Sequence, residues 1–217
     1  MILDSILAHK RQEVAQRRSR TPLAALEELS AGALRPRPFG AALRQRAVSI
    51  IAEIKRRSPS GGDLRPGASA AELAELYAAG GAVALSVLTD ERFFGGSAED
   101  LERARAASGL PTLRKDFVID AYQVWESRAL GVDAVLLIVR ALSDAELSSL
   151  LGLCERLELE ALVETHSADE VRRALDAGAR IVGVNNRDLD TLVTDVSLAP
   201  RLRPLVPPEC VFVAESG

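Results

Sequence analysis

From Val48 onward the chain alternates short apolar runs with amphipathic stretches of helical period, at a repeat of roughly thirty residues. That rhythm constrains the fold more than any other feature. The apolar runs are Ser49 to Lys55, Val83 to Leu88, Pro111 to Lys115, Ala134 to Ile138, Glu160 to Glu164, Ile181 to Val184 and Val211 to Ala214, which predicts seven strands. Between them the spacing predicts helices over Ala70 to Ala79, Ala98 to Ala107, Ala121 to Leu130, Asp144 to Leu157 and Ala168 to Ala177, with a shorter one around Leu198 to Leu205. Gly80-Gly81, Gly109, Gly131 and Gly178 follow several of these helices, where a left-handed terminal residue is least costly. Strands that alternate with helices imply a parallel sheet.

The segment before Val48 has a different pattern. Ile2, Leu3, Ile6, Leu7 and Val14 recur at helical spacing from Ile2 to Arg18, with Lys10, Arg11, Glu13, Arg17 and Arg18 between them. Pro22 suits the start of a second helix over Leu23 to Leu29, and Arg35-Pro36-Arg37-Pro38 reads as a linker. The expected organisation is a helical extension, residues 1–47, followed by a strand-helix body, residues 48–217. With 217 residues and 47% hydrophobic content, the chain can bury the core of a single domain.

Charge and hydropathy exclude several functions. The net charge of -4 is spread among interspersed residues of both signs, without the basic stripe that nucleic-acid binding requires. Apolar runs such as Val135 to Val139 fall far short of the roughly 20 residues that span a bilayer, and Met1-Ile2-Leu3-Asp4 lacks the order of a secretory signal. A soluble, cytoplasmic protein is expected, with no membrane partner. Cys154 and Cys210 stand in no metal-binding or disulfide pattern and read as small core residues; no metal site is expected.

A parallel set of this kind can be a doubly wound open sheet or a closed barrel. No G-x-G-x-x-G follows the first strand, as a dinucleotide-binding open sheet would show. Polar residues instead mark the carboxyl ends of many strands, the habit of a barrel that uses its whole rim. In the first strand Ile51, Glu53 and Lys55 share one face; in the third Leu113 and Lys115 do, and in the fifth Leu162 and Glu164. The sixth runs out to Asn185, and the seventh places Val211, Val213 and Glu215 on one side. Taken singly, each group is equally readable as a solvated strand end. Converging on one mouth, they would have to pair, and neighbouring carboxylates would hold the lysines protonated while burial pushed the other way. That is a plausible acid–base site.

Two loops add a weaker theme. Ser58-Pro59-Ser60-Gly61-Gly62 supplies hydroxyls and permissive backbone near Lys55, suited to an anion but also ordinary turn composition. Glu215-Ser216-Gly217 stands where barrels commonly begin a phosphate site.

These residues resemble the indole-3-glycerol-phosphate synthase family along the whole chain. The resemblance rests on Ile51-Ala52-Glu53-Ile54-Lys55-Arg56-Arg57-Ser58-Pro59-Ser60, Ser86-Val87-Leu88-Thr89-Asp90, Phe93-Phe94-Gly95-Gly96, Leu113-Arg114-Lys115-Asp116-Phe117, Val135-Leu136-Leu137-Ile138, Leu162-Val163-Glu164, Gly183-Val184-Asn185-Asn186-Arg187-Asp188-Leu189 and Ala214-Glu215-Ser216-Gly217. It implies a TIM (β/α)8 barrel with an N-terminal helical extension, monomeric when complete, that needs no cofactor. The implied reaction closes 1-(2-carboxyphenylamino)-1-deoxyribulose 5-phosphate to indole-3-glycerol phosphate with release of carbon dioxide and water. By resemblance, Lys115 is a general acid and Glu164 the acid–base partner in dehydration. Lys55 handles the substrate's oxygens or phosphate, Glu53 charge-balances the lysines, and Asn185 and Glu215 orient the substrate. Ser58, Ser60, Ser216 and Gly217 are similar to groups around the carboxylate and phosphate, while Phe94, Phe117, Leu136, Arg187 and Leu189 would wall the aromatic ring. His9, on a polar helix, and His166, in a loop, are not expected to be catalytic.

The family pattern continues through an eighth strand and helix, absent from these 217 residues. If they are the entire polypeptide, the first and seventh strands keep open edges, and low stability with weak or absent catalysis is expected. Two other readings compete. A different phosphate-binding barrel, such as phosphoribosylanthranilate isomerase or an aldolase-like enzyme, would want a cysteine or aspartate pair at the strand ends, or a Schiff-base lysine where Asn185 stands. A catalytically silent fragment acting as an assembly module would keep the barrel without the reaction.

Overall fold

A computed structural model describes residues 2–58, 62–64 and 68–216, with Ser58 and Asp63 described by their backbone alone. Three helices come first: α1 (Ile2–Arg20), α2 (Leu23–Gly32) and α3 (Phe39–Leu43). The body then runs β1 (Ile51–Ile54), β2 (Arg57–Ser58), β3 (Gly62–Asp63), α4 (Ala70–Ala79), β4 (Ala84–Leu88), α5 (Glu91–Phe94), α6 (Ala98–Ser108) and β5 (Thr112–Lys115). It continues through α7 (Ala121–Ala129), β6 (Ala134–Ile138), α8 (Asp144–Arg156), β7 (Glu160–Thr165), α9 (Ala168–Asp176), β8 (Ile181–Asn185), α10 (Leu198–Leu202) and β9 (Val211–Glu215).

Local chemistry sets the helix ends. Ser69 and Ser143 form capping boxes with Glu72 and Glu146, and Asp90, Ser97, Asp120 and Ser167 cap four further helices through their side chains. Gly109 closes α6 at φ 68°. After α4 the left-handed residue is Gly81, whereas Gly80 stays right-handed.

The seven long strands form one parallel sheet in the order β1-β4-β5-β6-β7-β8-β9. It is strongly curled. The Lys115 ammonium on β5 lies 2.5 Å from the Glu215 carboxylate on β9, although four strand steps would separate them by about 19 Å in a flat sheet. Alternate residues therefore bury into two cores. Val87, Val135, Leu137, Val163 and Val182 face outward under the helices, with Leu101, Leu147 and Val171 against them. Leu113, Leu136, Leu162, Ile181 and Val211 face inward. The inner core is plugged at the strands' amino ends by Phe39 and Leu43 of α3, where the Gly40 backbone N–H donates to Glu160 at 2.8 Å. Cys154 sits in the outer core, its thiol pushed up to about 12 by burial, and Cys210, partly buried, packs against the same core.

Several expectations need correction. The first strand, Ile51–Ile54, is shorter than the expected Ser49 to Lys55, and Ile50 just before it is exposed. Helices α3 and α5 were not anticipated. Neither was the antiparallel pairing of β2 with β3, which gives the Ser58 loop a hairpin base. Lys10, read as part of a polar face, is fully buried: its ammonium lies 2.9 Å from both Asp90 and Asp116 and 2.8 Å from Glu13. This knot docks α1 across the strands' carboxyl ends, so Leu3, Ile6 and Leu7 join the inner core. Among the described residues no helix is long and apolar enough to cross a membrane.

Candidate active site

A cavity of about 400 Å³ opens at the carboxyl ends of the seven strands. Its floor is the inner face of the sheet, with Ile51, Leu113, Leu136, Leu162 and Val213; its charged layer is Glu53, Lys55, Lys115, Glu164, Asn185 and Glu215. All six residues expected to carry chemistry therefore meet in one pocket. The cause is strand parity: Glu53, Lys115, Glu164 and Glu215 each share a face with the apolar residue two positions earlier.

Lys115 is the centre of the site. Its Nζ donates to Glu164 Oε2 at 2.8 Å and to Glu215 Oε2 at 2.5 Å, and its side chain is mostly buried. Burial alone would favour the neutral amine, but Glu164, Glu215 and Glu53 outweigh it and hold the group well above the ordinary lysine range. The two carboxylates differ. Burial pushes Glu164 up, yet Lys115 and His166 pull harder, and Asn185 Nδ2 donates to its Oε1 at 3.2 Å; it is held ionised. Glu215 shares Lys115 but has no counterpart of the Asn185 donor among the described residues. Its Oε1 is buried without a partner among the described residues, and burial together with the nearby Glu164 charge pushes it up to about 7 against the pull of Lys115. The site thus holds a charged ammonium between an ionised carboxylate and one poised near neutrality, where proton transfer is most effective. Glu53 accepts a hydrogen bond from Lys55 at 2.7 Å, which charge-balances that lysine too.

The apolar wall also assembles as expected. Phe94 and Phe117 stand with ring centroids 6.2 Å apart, and Leu136, Leu189, Arg187 and Ser216 line the same cavity. Arg187 and Leu189 belong to a loop after β8 in which Asp188 accepts from the backbone N–H groups of Asp190 and Thr191 at 3.0 and 2.8 Å. Ser216, at φ 49°, gives its carbonyl to Asn186 Nδ2 at 2.9 Å. The Ser58 backbone lies in β2, paired with Gly62 of β3. Ser60 and Gly217 lie outside the described residues.

Some residues of the pocket escaped sequence reasoning. Ile2, Leu3 and Ile6 of α1 cover it, although their spacing signalled only an amphipathic helix. Ser86 also lines it, with a buried hydroxyl that has no partner among the described residues. Its position beside Glu53 in the β1–β4 register was available only once strand pairing was known.

Parallel strand-helix units curled around an acid–base pocket at their carboxyl mouth define an enzyme of the TIM-barrel-like α/β class. The fold is similar to that of the N-acetylmannosamine-6-phosphate 2-epimerase of Clostridium perfringens, with a TM-score of 0.56 over 76% of each chain; at 13% identity the likeness is one of fold alone.

Sequence comparison then fixes the family. The family model for indole-3-glycerol phosphate synthase matches residues 3–217. The indole-3-glycerol phosphate synthase of Kineococcus radiotolerans is 50% identical over all of this chain and 81% of its own length. Those of Acidithiobacillus ferrooxidans and Dehalococcoides mccartyi are 49% and 47% identical, covered over 84% and 85% of their lengths. The chain belongs to the indole-3-glycerol phosphate synthase family.

Proposed function

We propose that the pocket converts 1-(2-carboxyphenylamino)-1-deoxyribulose 5-phosphate to indole-3-glycerol phosphate, carbon dioxide and water. The observation that carries the reading is Lys115, held charged between Glu164 and Glu215 at the mouth of a cavity with an apolar floor. In ring closure the aromatic carbon bearing the carboxylate attacks the ketone carbon. Lys115 protonates the ketone oxygen as the new bond forms, and the carboxylate leaves as carbon dioxide, returning its electron pair to the ring. In dehydration the hydroxyl leaves as water with a proton from the site, and a ring C–H proton is lost to restore aromaticity. Glu164 is the acid–base partner of that half, and Asn185 fixes its orientation. Glu215, poised near neutrality beside Lys115, is suited to return the lysine's proton as well as to orient the substrate.

Lys55, paired with Glu53, would meet the substrate's oxygens or its phosphate, and Phe94, Phe117, Leu136, Leu189 and Arg187 would enclose the aromatic ring. Ser58, Ser60, Ser216 and Gly217 are assigned to the anionic ends of the substrate. The edges of β1 and β9 are left without a strand partner on one side each among the described residues. An eighth strand between them would complete a (β/α)8 barrel and restore the backbone N–H groups of a full phosphate cradle. The protein is then a cytoplasmic, monomeric enzyme that works without a cofactor.

The test is the appearance of indole fluorescence from the carboxyphenylamino-deoxyribulose phosphate, with this chain, its Lys115→Ala variant and a form extended by an eighth strand-helix unit. Product formation that depends on Lys115 supports the reading. No product from either the chain or its extended form sinks it, and leaves an assembly module in its place.

A further inference from the structure

In the sequence His166 reads as a loop residue that follows Glu164-Thr165. In the fold it is a buried residue with both ring nitrogens facing carboxylates. Nε2 lies 3.4 Å from Glu164 Oε1, within ion-pair reach but without hydrogen-bond geometry, and Nδ1 meets Glu170 Oε2 at 3.4 Å. The same Glu170 oxygen accepts the His166 backbone N–H at 2.8 Å, so ring and main chain are tied to one group. Glu170 is itself held: it sits in the first turn of α9, and its other oxygen accepts from Arg140 Nε at 3.2 Å. Arg140 then reaches Asp188 at 3.1 Å. Asp188 organises the loop that brings Arg187 and Leu189 to the cavity wall.

A chain of close contacts thus leads from the carboxylate that touches Lys115, through His166, Glu170 and Arg140, to the loop that lines the cavity. A carboxylate with two rotatable oxygens needs restraint on both to hold one geometry. Lys115 restrains Oε2, whereas Oε1 has only a 3.2 Å bond from the Asn185 amide and the imidazole edge. Displacing an acid–base group by a fraction of an ångström lowers the rate steeply while leaving substrate contacts largely intact.

We propose that His166 is a positioning residue for the synthase reaction, which fixes the Glu164 carboxylate and locks it in register with the Asp188 loop. The inference rests on the reading of Glu164 as the acid–base partner. It assigns His166 no contact with substrate. It also extends the functional set to Glu170 and Arg140, which lie outside the cavity and belong to different strand-helix units.

The experiment compares kcat and KM for His166→Phe, His166→Gln, Glu170→Gln and Glu164→Gln, in whichever of the chain or its extended form turns over, with thermal melts of each. His166→Phe keeps the ring's volume but loses both nitrogens; kcat is expected to fall tenfold or more, with KM changed less than threefold. His166→Gln, which restores a polar donor, should recover a severalfold share of the loss, and Glu170→Gln should lower kcat severalfold with the ring still present. If His166→Phe does not fold, the Glu170→Gln and His166→Gln results decide. Wild-type kcat in the folded His166 variants, with activity lost in Glu164→Gln, overturns this inference and leaves the function standing. Full activity in Glu164→Gln, or no turnover in either form, removes the functional reading and this inference with it.

Discussion

The carboxylate of Glu215 rests directly over the α-carbon of Gly183 on the neighbouring strand, in the space a side chain at 183 would fill. A β-carbon there would collide with Glu215 Oε1 and crowd Leu162. Gly183 therefore belongs to the site by what it lacks: its bare backbone lets Glu215 lie flat enough to reach Lys115. Gly183→Ala should push the carboxylate away from the ammonium. Overpacking of this kind destabilises by about 1–3 kcal/mol, and the expected kinetic result is a tenfold or larger loss of kcat with a small change in KM. An alanine variant that keeps wild-type kcat would show that the contact between Lys115 and Glu215 is dispensable.

Glu215 also gives the chain a distinctive dependence of stability on pH. Its folded value, pushed up to about 7 by burial, exceeds the ordinary 4.5, so the folded chain binds this proton more tightly than the unfolded one. Its stabilising contribution is complete below pH 4.5 and is lost as pH rises through about 7. Glu215→Gln, which does not titrate, should therefore gain on the wild type across that window, by on the order of 1–3 kcal/mol. Urea unfolding of both proteins at several pH values measures the gap. Parallel stability curves would mean that Glu215 does not carry a raised value.

Removing Lys115 tests the same cluster from the other side. Lys115→Met leaves Glu164 and Glu215 facing each other in a buried pocket without their shared cation. Loss of one partner from a buried ion pair typically costs about 3–5 kcal/mol. The stability loss should shrink in mild acid, as Glu215 takes up a proton in both proteins. Activity should fall by about 10²–10⁴, the usual share of a general acid. A variant with unchanged melting temperature and measurable turnover at the wild-type rate would remove Lys115 from the centre of the mechanism.

Much of this site is legible in the sequence because it depends on strand parity. Glu53, Lys115, Glu164 and Glu215 each share a face with an inward apolar residue two positions back, and the strand-helix rhythm puts every such pair at the same end of the sheet. What was not legible depends on contacts between distant segments. Lys10 reads as a solvated charge until α1 is seen to lie over Asp90 and Asp116. His166 reads as a loop residue until the first turn of α9 supplies Glu170. Helix α3 is five residues long and follows Pro38, too short for its period to register, yet Phe39 is wholly buried in the inner core. Strand ends were less legible: Ile50 is apolar and accepts the Val83 N–H at 3.0 Å, yet it is exposed and lies outside β1.

The Lys10 knot makes the helical extension part of the site, and its removal should be felt there. Asp116 is held well below the ordinary carboxylate range: burial pushes it up, but Arg114 and Lys10 outweigh that effect, and Thr89 donates to it at 2.9 Å. Arg114 continues the network to Glu126 at 2.7 Å, and Glu126 meets Arg17 of α1 at 3.0 Å, so the helix is held at Lys10 and again about two turns further on. Lys10→Met keeps the apolar stem but leaves Asp90 and Asp116 buried without their common cation, at a cost of about 3–5 kcal/mol. Because Leu3 and Ile6 of the same helix line the cavity, KM for the substrate should rise severalfold even where the variant remains folded. Since Asp116 has a depressed value in the fold, its contribution is present above the ordinary carboxylate range and is lost as pH falls through the folded value. The wild type should therefore surrender its advantage over Lys10→Met only in strong acid. Thermal melts at neutral and acid pH, set beside KM for the two proteins, test both consequences. An unchanged melting temperature at neutral pH would show that α1 is not held by this ion cluster.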